Sequence, residues 1–276
     1  MKKIYKIIAL LTFSIVVLLG SFANGTEAAS KRIVVAGSSA LYPLLTQAQK
    51  EFKQKNPRVM INVTSSSSIY GPQSVTKGLA TIGACDWDAT KPVAGFKGFS
   101  DLTATPIAKI PFSTIVHKDN PVKNLSKDDL IGIFTGKITN WKEVGGNNEK
   151  IKIVNRKSGS GTRVNFQELA LNGKEFEKNT LFASSSSEMK TNVASDKNAI
   201  GYIDLAYVSG NVKSVSIDKI APTVANVKNG SYKIWGYGYL LTKGNPTGDD
   251  KKFIDYILSS KFQNGSLKKL KFLPLK

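Results

Sequence analysis

Three times in this chain a short apolar run ends in small hydroxyl residues, and a helical pattern begins directly after them: at Gly37-Ser38-Ser39, at Ser65 to Ser68, and at Ser158-Gly159-Ser160-Gly161-Thr162. A chain that repeatedly hands a strand over to a helix within a few residues has few architectures open to it, because such units stack strands in one layer and helices in another. The first unit shows the pattern. Ile33-Val34-Val35-Ala36 reads as a strand, and Leu41, Leu44, Leu45, Ala48 and Phe52 then share one helical face until Asn56-Pro57 stops it. Val59, Ile61 and Val63 alternate as a second strand. A helix is predicted over about 69–80, and Ile82-Gly83-Ala84-Cys85 is a short strand that delivers Asp86 at its end.

The order recurs downstream. Ile107 to His117 is a β-rich run that Pro111 is expected to break. Ser126 caps a helix running to Phe134, with Asp128 and Asp129 in its first turn where they suit the helix dipole. Ile151 to Val154 is a strand, and Ser158 to Thr162 opens a helix carrying Phe166, Leu169 and Ala170. Ala199 to Ile203 and Lys233 to Thr242 are further strands, and Asp249 to Ser260 is a closing helix bearing Phe253, Ile254, Ile257 and Leu258. The pattern predicts an α/β protein with largely parallel sheets. No repeat of fixed period occurs, and the serine runs at 65–68 and 184–187 are too short to count as low complexity.

The same turns suggest chemistry. A helix N-terminus exposes unpaired N–H groups and a partial positive charge, which suits an anion. Serine and threonine add hydroxyl donors in little space, and glycine lets the backbone approach a ligand. Pro43 and Pro72 each lie four residues after a serine, Ser39 and Ser68, where a proline in a first helical turn would fall. One such turn reads as ordinary capping. Three of them, with Arg156 four residues before Ser160, point to an oxyanion, for which arginine supplies a forked and permanently charged donor. Other chemistries find little support. His117 is the only histidine and sits beside the turn residues Lys118-Asp119-Asn120-Pro121, so a Ser-His-Asp triad has one weak candidate. No phosphate loop of the nucleotide-binding kind occurs, and Gly159-x-Gly161 is no fingerprint alone. Asp86-Trp87-Asp88 lacks partner ligands at metal spacing, and Cys85 reads as a small buried residue.

Lys2, Lys3 and Lys6, the apolar run Ile7 to Gly20 and the small residues Ala28 and Ala29 read as a signal segment over 1–29, leaving 247 of 276 residues. That run is short for a membrane span. Leu18-Leu19-Gly20-Ser21 resembles a lipoprotein signal, but Ser21 stands where the lipidated cysteine would be. The protein is therefore expected to be exported and not lipidated, periplasmic where an outer membrane exists. The single cysteine excludes a disulfide framework and a multi-thiolate zinc site. The formal charge is +19, and losing three lysines and Glu27 with the signal segment leaves +17. Such a surface attracts polyanions, among them the anionic cell envelope. Nucleic acid is not expected, because neither zinc-finger nor RNA-recognition signatures occur.

Longer motifs add a resemblance. Gly37-Ser-Ser-Ala-Leu-Tyr-Pro-Leu44, Lys118-Asp-Asn-Pro121, Ile133-Phe-Thr-Gly-Lys-Ile-Thr-Asn-Trp141, Asn155-Arg-Lys-Ser-Gly-Ser-Gly-Thr-Arg163 and Asn198-Ala-Ile-Gly-Tyr202 together resemble the phosphate-binding proteins of bacterial ABC phosphate uptake systems. The resemblance implies a type II periplasmic-binding-protein-like fold: two hinged α/β lobes, with the ligand cleft between them. It implies a first lobe over 30–110 that returns over 236–276, a second lobe over 111–235, and chain crossings near Ile107–Phe112 and Lys233–Gly238. By position it implies phosphate ligands at Ser39, the N–H of Ala40, Ser68, Asp86, Arg156, Ser160, Gly161 and Thr162. It further implies no catalytic residue, no metal, no cofactor, a membrane permease as partner, and a monomer. Ser158 departs from members that carry an acidic residue there to steady the arginine, and Cys85 from a position that is often serine.

Those residue types also suggest a basis for selectivity. Arg156, hydroxyls and N–H groups all donate, whereas ionised Asp86 only accepts. Phosphate near neutral pH still has a proton to give it, and sulfate has none. The unpaired carboxylate would cost sulfate about 1–3 kcal/mol, roughly tenfold to over a hundredfold in affinity. Two other readings stand beside this one. A secreted enzyme acting on phosphate esters through Ser39 or Ser160 would need a base or a metal. A polyanion-binding surface protein would lose its ligand steeply with salt.

Overall fold

Strand β1 (Arg32–Gly37) lies between β2 (Met60–Val63) and β3 (Ile82–Cys85), parallel to both. Helices α1 (Tyr42–Lys55) and α2 (Tyr70–Thr76) make the connections. In the computed structural model residues 32–93 and 95–276 are described. The signal-segment and lipidation expectations fall on residues 1–29 and lie outside that range.

Helix α1 buries Leu44, Leu45, Ala48 and Phe52, as the apolar spacing predicts, and Pro43 sits in its first turn. Helix α2 is shorter than expected. It ends at Thr76 rather than near 80, because Gly78 turns the chain with φ +70° and Leu79 goes to solvent. The packing under α2 is backbone on backbone. A Cβ on Gly37 would lie 2.2 Å from the Ala84 carbonyl oxygen and 2.8 Å from the Gly71 Cα. One on Gly83 would lie 2.6 Å from the carbonyl of Gly71. The helix rests on β1 and β3 with only hydrogens between.

The next strand overturns an expectation. Pro111 does not break it: β4 (Leu102–His117) runs unbroken for 16 residues. As far as Pro111 it pairs with the late strand β11 (Trp235–Lys243), and from Phe112 it pairs with β8 (Ala199–Asp204). The proline falls where the neighbour changes, so the missing N–H interrupts no continuous ladder. Beyond β5 (Asn124–Leu125), helix α3 (Lys127–Phe134) begins at a capping box, Ser126 accepting from the Asp129 N–H while the Asp129 carboxylate accepts from Ser126. Strand β6 (Lys152–Arg156) then leads into α4 (Gly161–Leu171), and β7 (Leu181–Ala183) into α5 (Ser186–Ala194). Strands β9 (Val212–Ser214) and β10 (Ser216–Ile217) and helix α6 (Val224–Lys228) precede β11, and α7 (Gly248–Leu258) follows it.

The main sheet runs β2-β1-β3-β11-β4-β8-β6-β7, with β9 added on β4. It is mixed rather than largely parallel. Within each half the strands joined through helices are parallel, but β11 is antiparallel to β3 and β4, and β4 to β8 and β9. The molecule is thus two α/β halves joined through β4 and β11. In the first, Phe253 of α7 meets Phe52 edge-on at 5.4 Å. In the second, Phe166 of α4 stacks on Tyr202 of β8 at 4.3 Å, with Phe134 and Phe176 around the pair. Among the described residues no helix is long and apolar enough to cross a membrane.

Candidate functional site

The ends of β1, β3 and β6 and the starts of α2, α4 and α5 converge at the junction of the halves. Gly37 takes φ +128°, which turns the chain out of β1 and presents Ser38 and Ser39. The Ser38 hydroxyl donates to Asp86 Oδ1 and accepts from the N–H groups of Ala40 (3.1 Å) and Leu41 (3.2 Å). The Ala40 N–H, expected to face a ligand, is therefore engaged by a side chain of its own turn. Ser68 accepts from the Asp86 N–H at 3.4 Å, and Asp86 is buried at the end of β3 as predicted.

Arg156 is the other pole. It ends β6 and is 1% exposed, and its backbone N–H is held by Asn155 Oδ1 (2.8 Å) and the Tyr202 hydroxyl (3.2 Å). Its Nε donates to the Ala183 carbonyl (3.2 Å), and Nη2 to the Ser184 carbonyl (3.3 Å) and Ser39 Oγ (3.4 Å). These carbonyls steady the guanidinium in a chain that has Ser158 in place of an acid. Nη1 is buried and has no partner among the described residues. Ser160 caps α4 by accepting from the Arg163 N–H at 3.3 Å, so its hydroxyl proton remains available to a ligand. Gly161 packs against Asp86 and Ser68 so closely that a Cβ there would lie 2.5 Å from each.

Several bonds cross from one half to the other. Thr162 Oγ1 donates to Asp86 Oδ2 (3.4 Å), Asn165 Nδ2 to the Asp86 carbonyl (2.8 Å), and the Ile69 N–H to the Gly159 carbonyl (3.1 Å). The Tyr207 hydroxyl donates to the Ser39 carbonyl at 2.8 Å. Ser39 Oγ accepts from the Ser186 N–H (3.0 Å) and lies 3.2 Å from Ser186 Oγ. All eight residues that the sequence motifs single out thus lie at this junction, and each side chain among them is buried. The site is enclosed. A groove of about 490 Å³ between Trp87, Phe96, Arg163 and Glu168 does not include Ser39, Asp86 or Arg156 among its walls.

Burial pushes the Asp86 carboxyl above its usual range, against the pull of the Ser38 hydrogen bond, Arg156, Ser68 and Thr162. Burial also lowers Arg156 from its usual value, and the surrounding Tyr202, Asp86, Asp204 and Tyr207 resist the shift. An arginine nonetheless stays charged. The arrangement gathers a guanidinium, hydroxyls and a helix N-terminus around the acceptor Asp86, with a second buried carboxylate, Asp204, acting on Arg156, so it suits a tetrahedral oxyanion that keeps a proton. His117 lies elsewhere, at the far end of β4, where its Nδ1 accepts from the Asp119 N–H at 3.1 Å. Cys85 is buried and its thiol is pushed well up, first by burial and then by Asp86. Among the described residues no cluster could hold a metal ion.

Ser38, Asn155 and Tyr202 lie inside the sequence motifs but were not singled out as site residues, and Ser186, Asp204, Asn165 and Tyr207 were missed. One signal was available. Ser185 and Glu188 have capping-box spacing, and Ser185 does cap α5 by accepting from the Glu188 N–H at 3.1 Å. A fourth serine-bearing helix start was therefore present in a run read only as too short for low complexity.

Residues 23–261 match the family model of the PBP superfamily domain. The chain is 38% identical to the phosphate-binding protein PstS of Bacillus subtilis (strain 168), over 92% of this chain and 84% of that one. It superposes with a TM-score of 0.82 and 35% identity on a Clostridium perfringens chain assigned as a phosphate ABC transporter substrate-binding protein, solved with phosphate bound, covering 89% of this chain and 100% of that one. An ABC-type phosphate transport receptor from Vibrio cholerae superposes with a TM-score of 0.67 and 27% identity, over 88% of this chain and 100% of that one.

Proposed function

This chain belongs to the phosphate-binding proteins of the PBP superfamily, and we propose that it captures one inorganic phosphate at the junction of its two lobes and delivers it to an ABC-type importer. The observation that carries the reading is Arg156 Nη1, a buried cationic donor that no group among the described residues satisfies. An oxyanion oxygen is the partner such a donor calls for, because an unmet charged donor is costly. Around it Ser39, Ser68, Ser160 and Thr162 bring hydroxyls, Gly161 brings backbone, and Asp86 brings the acceptor for the proton that phosphate retains, while Ala40 could add its N–H only by releasing Ser38. The two oxygens of Asp86 accept from Ser38 and Thr162, which leaves lone pairs for a ligand hydroxyl.

The lobes of this reading are 30–110 with 236–276, and 111–235, hinged where β4 changes neighbour and where β11 begins. Opening the hinge breaks the cross-lobe bonds of Thr162, Asn165 and Tyr207 and admits the ligand. The role is capture rather than catalysis, as in the transport proteins the chain resembles, and it needs no cofactor or metal. The protein works as an exported monomer that meets a membrane permease. Ser21 excludes lipid attachment, and the charge of +17 after cleavage holds the protein to an anionic envelope.

Calorimetry on protein stripped of phosphate tests the site. One phosphate per chain with little response to sulfate is expected, and no heat with millimolar phosphate refutes the reading. N-terminal sequencing of the native protein tests export. A start near Ala29 or Ser30 is expected, and recovery of Met1 refutes cleavage.

A further inference from the structure

The charges at the junction do not balance. One guanidinium, Arg156, faces two buried carboxylates, Asp86 at the end of β3 and Asp204 at the end of β8. The two are served differently. Asp86 accepts from the hydroxyls of Ser38 and Thr162. Asp204 is 0% exposed, and neither of its oxygens has a hydrogen-bond partner among the described residues. Its side chain does not cap the turn that follows it. Phe112 lies opposite it on β4 and brings no charge. Ser186 of α5 lies close enough to favour the ionised form but does not reach hydrogen-bonding geometry. Asp86, Arg156 and, in its own turn, Tyr207 are titratable groups that interact with it.

A carboxylate ionised in such a place has only a share of Arg156 and weak help from its own backbone N–H and Ser186 against its burial, whereas a protonated one carries no charge into the low-dielectric interior. Bound phosphate would add one or two negative charges to the same enclosed space. We propose that Asp204 is a proton-carrying positioning residue of this site: it is neutral while phosphate is bound beside Arg156, and affinity is lost as it ionises. Burial first, and then the charge of Asp86, push its carboxyl well above the usual range. Asp86 is raised too, but its hydroxyl donors favour its ionised form. Of the two, the proton therefore belongs to Asp204, and Asp86 is left to accept from the ligand.

The inference rests on the phosphate reading above, and Asp204→Asn tests it by fixing the neutral state in nearly the same shape. Both proteins are titrated calorimetrically with inorganic phosphate at pH 6 and pH 9. The ratio of variant to wild-type affinity should rise about tenfold or more between the two, since only the wild type gains a charge. The ionisation of phosphate itself is common to both proteins and drops out of the ratio. A ratio constant within twofold overturns the proposal while leaving phosphate binding in place. Wild type that binds no phosphate at either pH overturns the phosphate reading and this inference with it.

Thermal melts without phosphate give a second readout. A carboxyl raised in the folded state contributes its stability below the unfolded value, near about 3.9, and loses it as pH climbs to the folded value. The melting-temperature advantage of the variant should grow from pH 4 to pH 8, and a flat difference overturns the proposal. Should the variant fail to fold, carbon-13 NMR of aspartate carboxyls in the wild-type phosphate complex decides. One carboxyl still protonated at pH 7 is expected, and none protonated overturns the proposal.

Discussion

Gly161→Ala is a small change at the point where the halves touch. The new methyl carbon would stand 2.5 Å from Asp86 Cβ, 2.5 Å from Ser68 Oγ and 2.8 Å from Asp86 Oδ2. None of these is an ordinary contact, so Asp86 and Ser68 must move or the halves must part. Either relief falls on two proposed phosphate ligands. Overpacking of this kind costs about 1–3 kcal/mol. If the cost falls on the closed, ligand-holding form, phosphate affinity drops roughly 5- to 150-fold. Global stability should not follow. Gly161 is the first residue of α4 and has no positive φ, and alanine for glycine at a compatible position stabilises by about 0.4–1 kcal/mol through the unfolded chain. The expected signature is therefore weakened binding in calorimetry with a melting temperature that stays level or rises. Affinity within twofold of wild type would show that α4 does not press on Asp86 in the bound form, and the reasoning would fail.

Arg156→Ala should weaken phosphate by at least about 2 kcal/mol, some 30-fold, because a charge-assisted donor pair is removed; affinity within twofold of wild type contradicts its place in the site. Asp86→Asn should erode the preference for phosphate over sulfate more than it erodes phosphate binding, since an amide can donate as well as accept; competition titration with both anions reads this, and an unchanged preference removes Asp86 from the selectivity argument. Phe166→Ala should cost about 3–5 kcal/mol in chemical denaturation, because Phe166 is fully buried between Phe134, Phe176 and Tyr202. A loss below 1 kcal/mol would mean that the aromatic cluster is not tightly packed.

The elements most legible in sequence were those whose signal is local. The apolar face of α1, the Ser126 cap of α3 and the Ser160 turn of α4 all depend on residues a few positions apart, and all stand where spacing put them. What needed distant partners was misread. Pro111 looks like a strand breaker until β8 and β11 are seen to meet β4 on either side of it. The antiparallel return of β11 is likewise a matter of which strand it meets, not of its own residues. The site divides along the same line. Motif positions predicted Ser39, Asp86 and Arg156, but Ser186 and Asp204 join them only because α5 and β8 are brought alongside β6. Nothing in Ile203-Asp204-Leu205 announces that the middle residue will be sealed in without a hydrogen-bond partner among the described residues.

The glycines beneath α2 have a consequence for how the site keeps its dimensions. Elsewhere in the core a changed side chain is met at least in part by neighbouring rotamers that shift toward the space. The contact of Gly37, Gly71 and Gly83 has no side chain to yield. It acts as a machinist's datum, a hard stop from which other positions are measured, and its height is set by covalent geometry alone. Ser68, three residues before Gly71, is referenced to that stop. Exposed positions around α2, such as Tyr70, take no part in that stop. A single methyl at any of the three glycines would shift the reference itself.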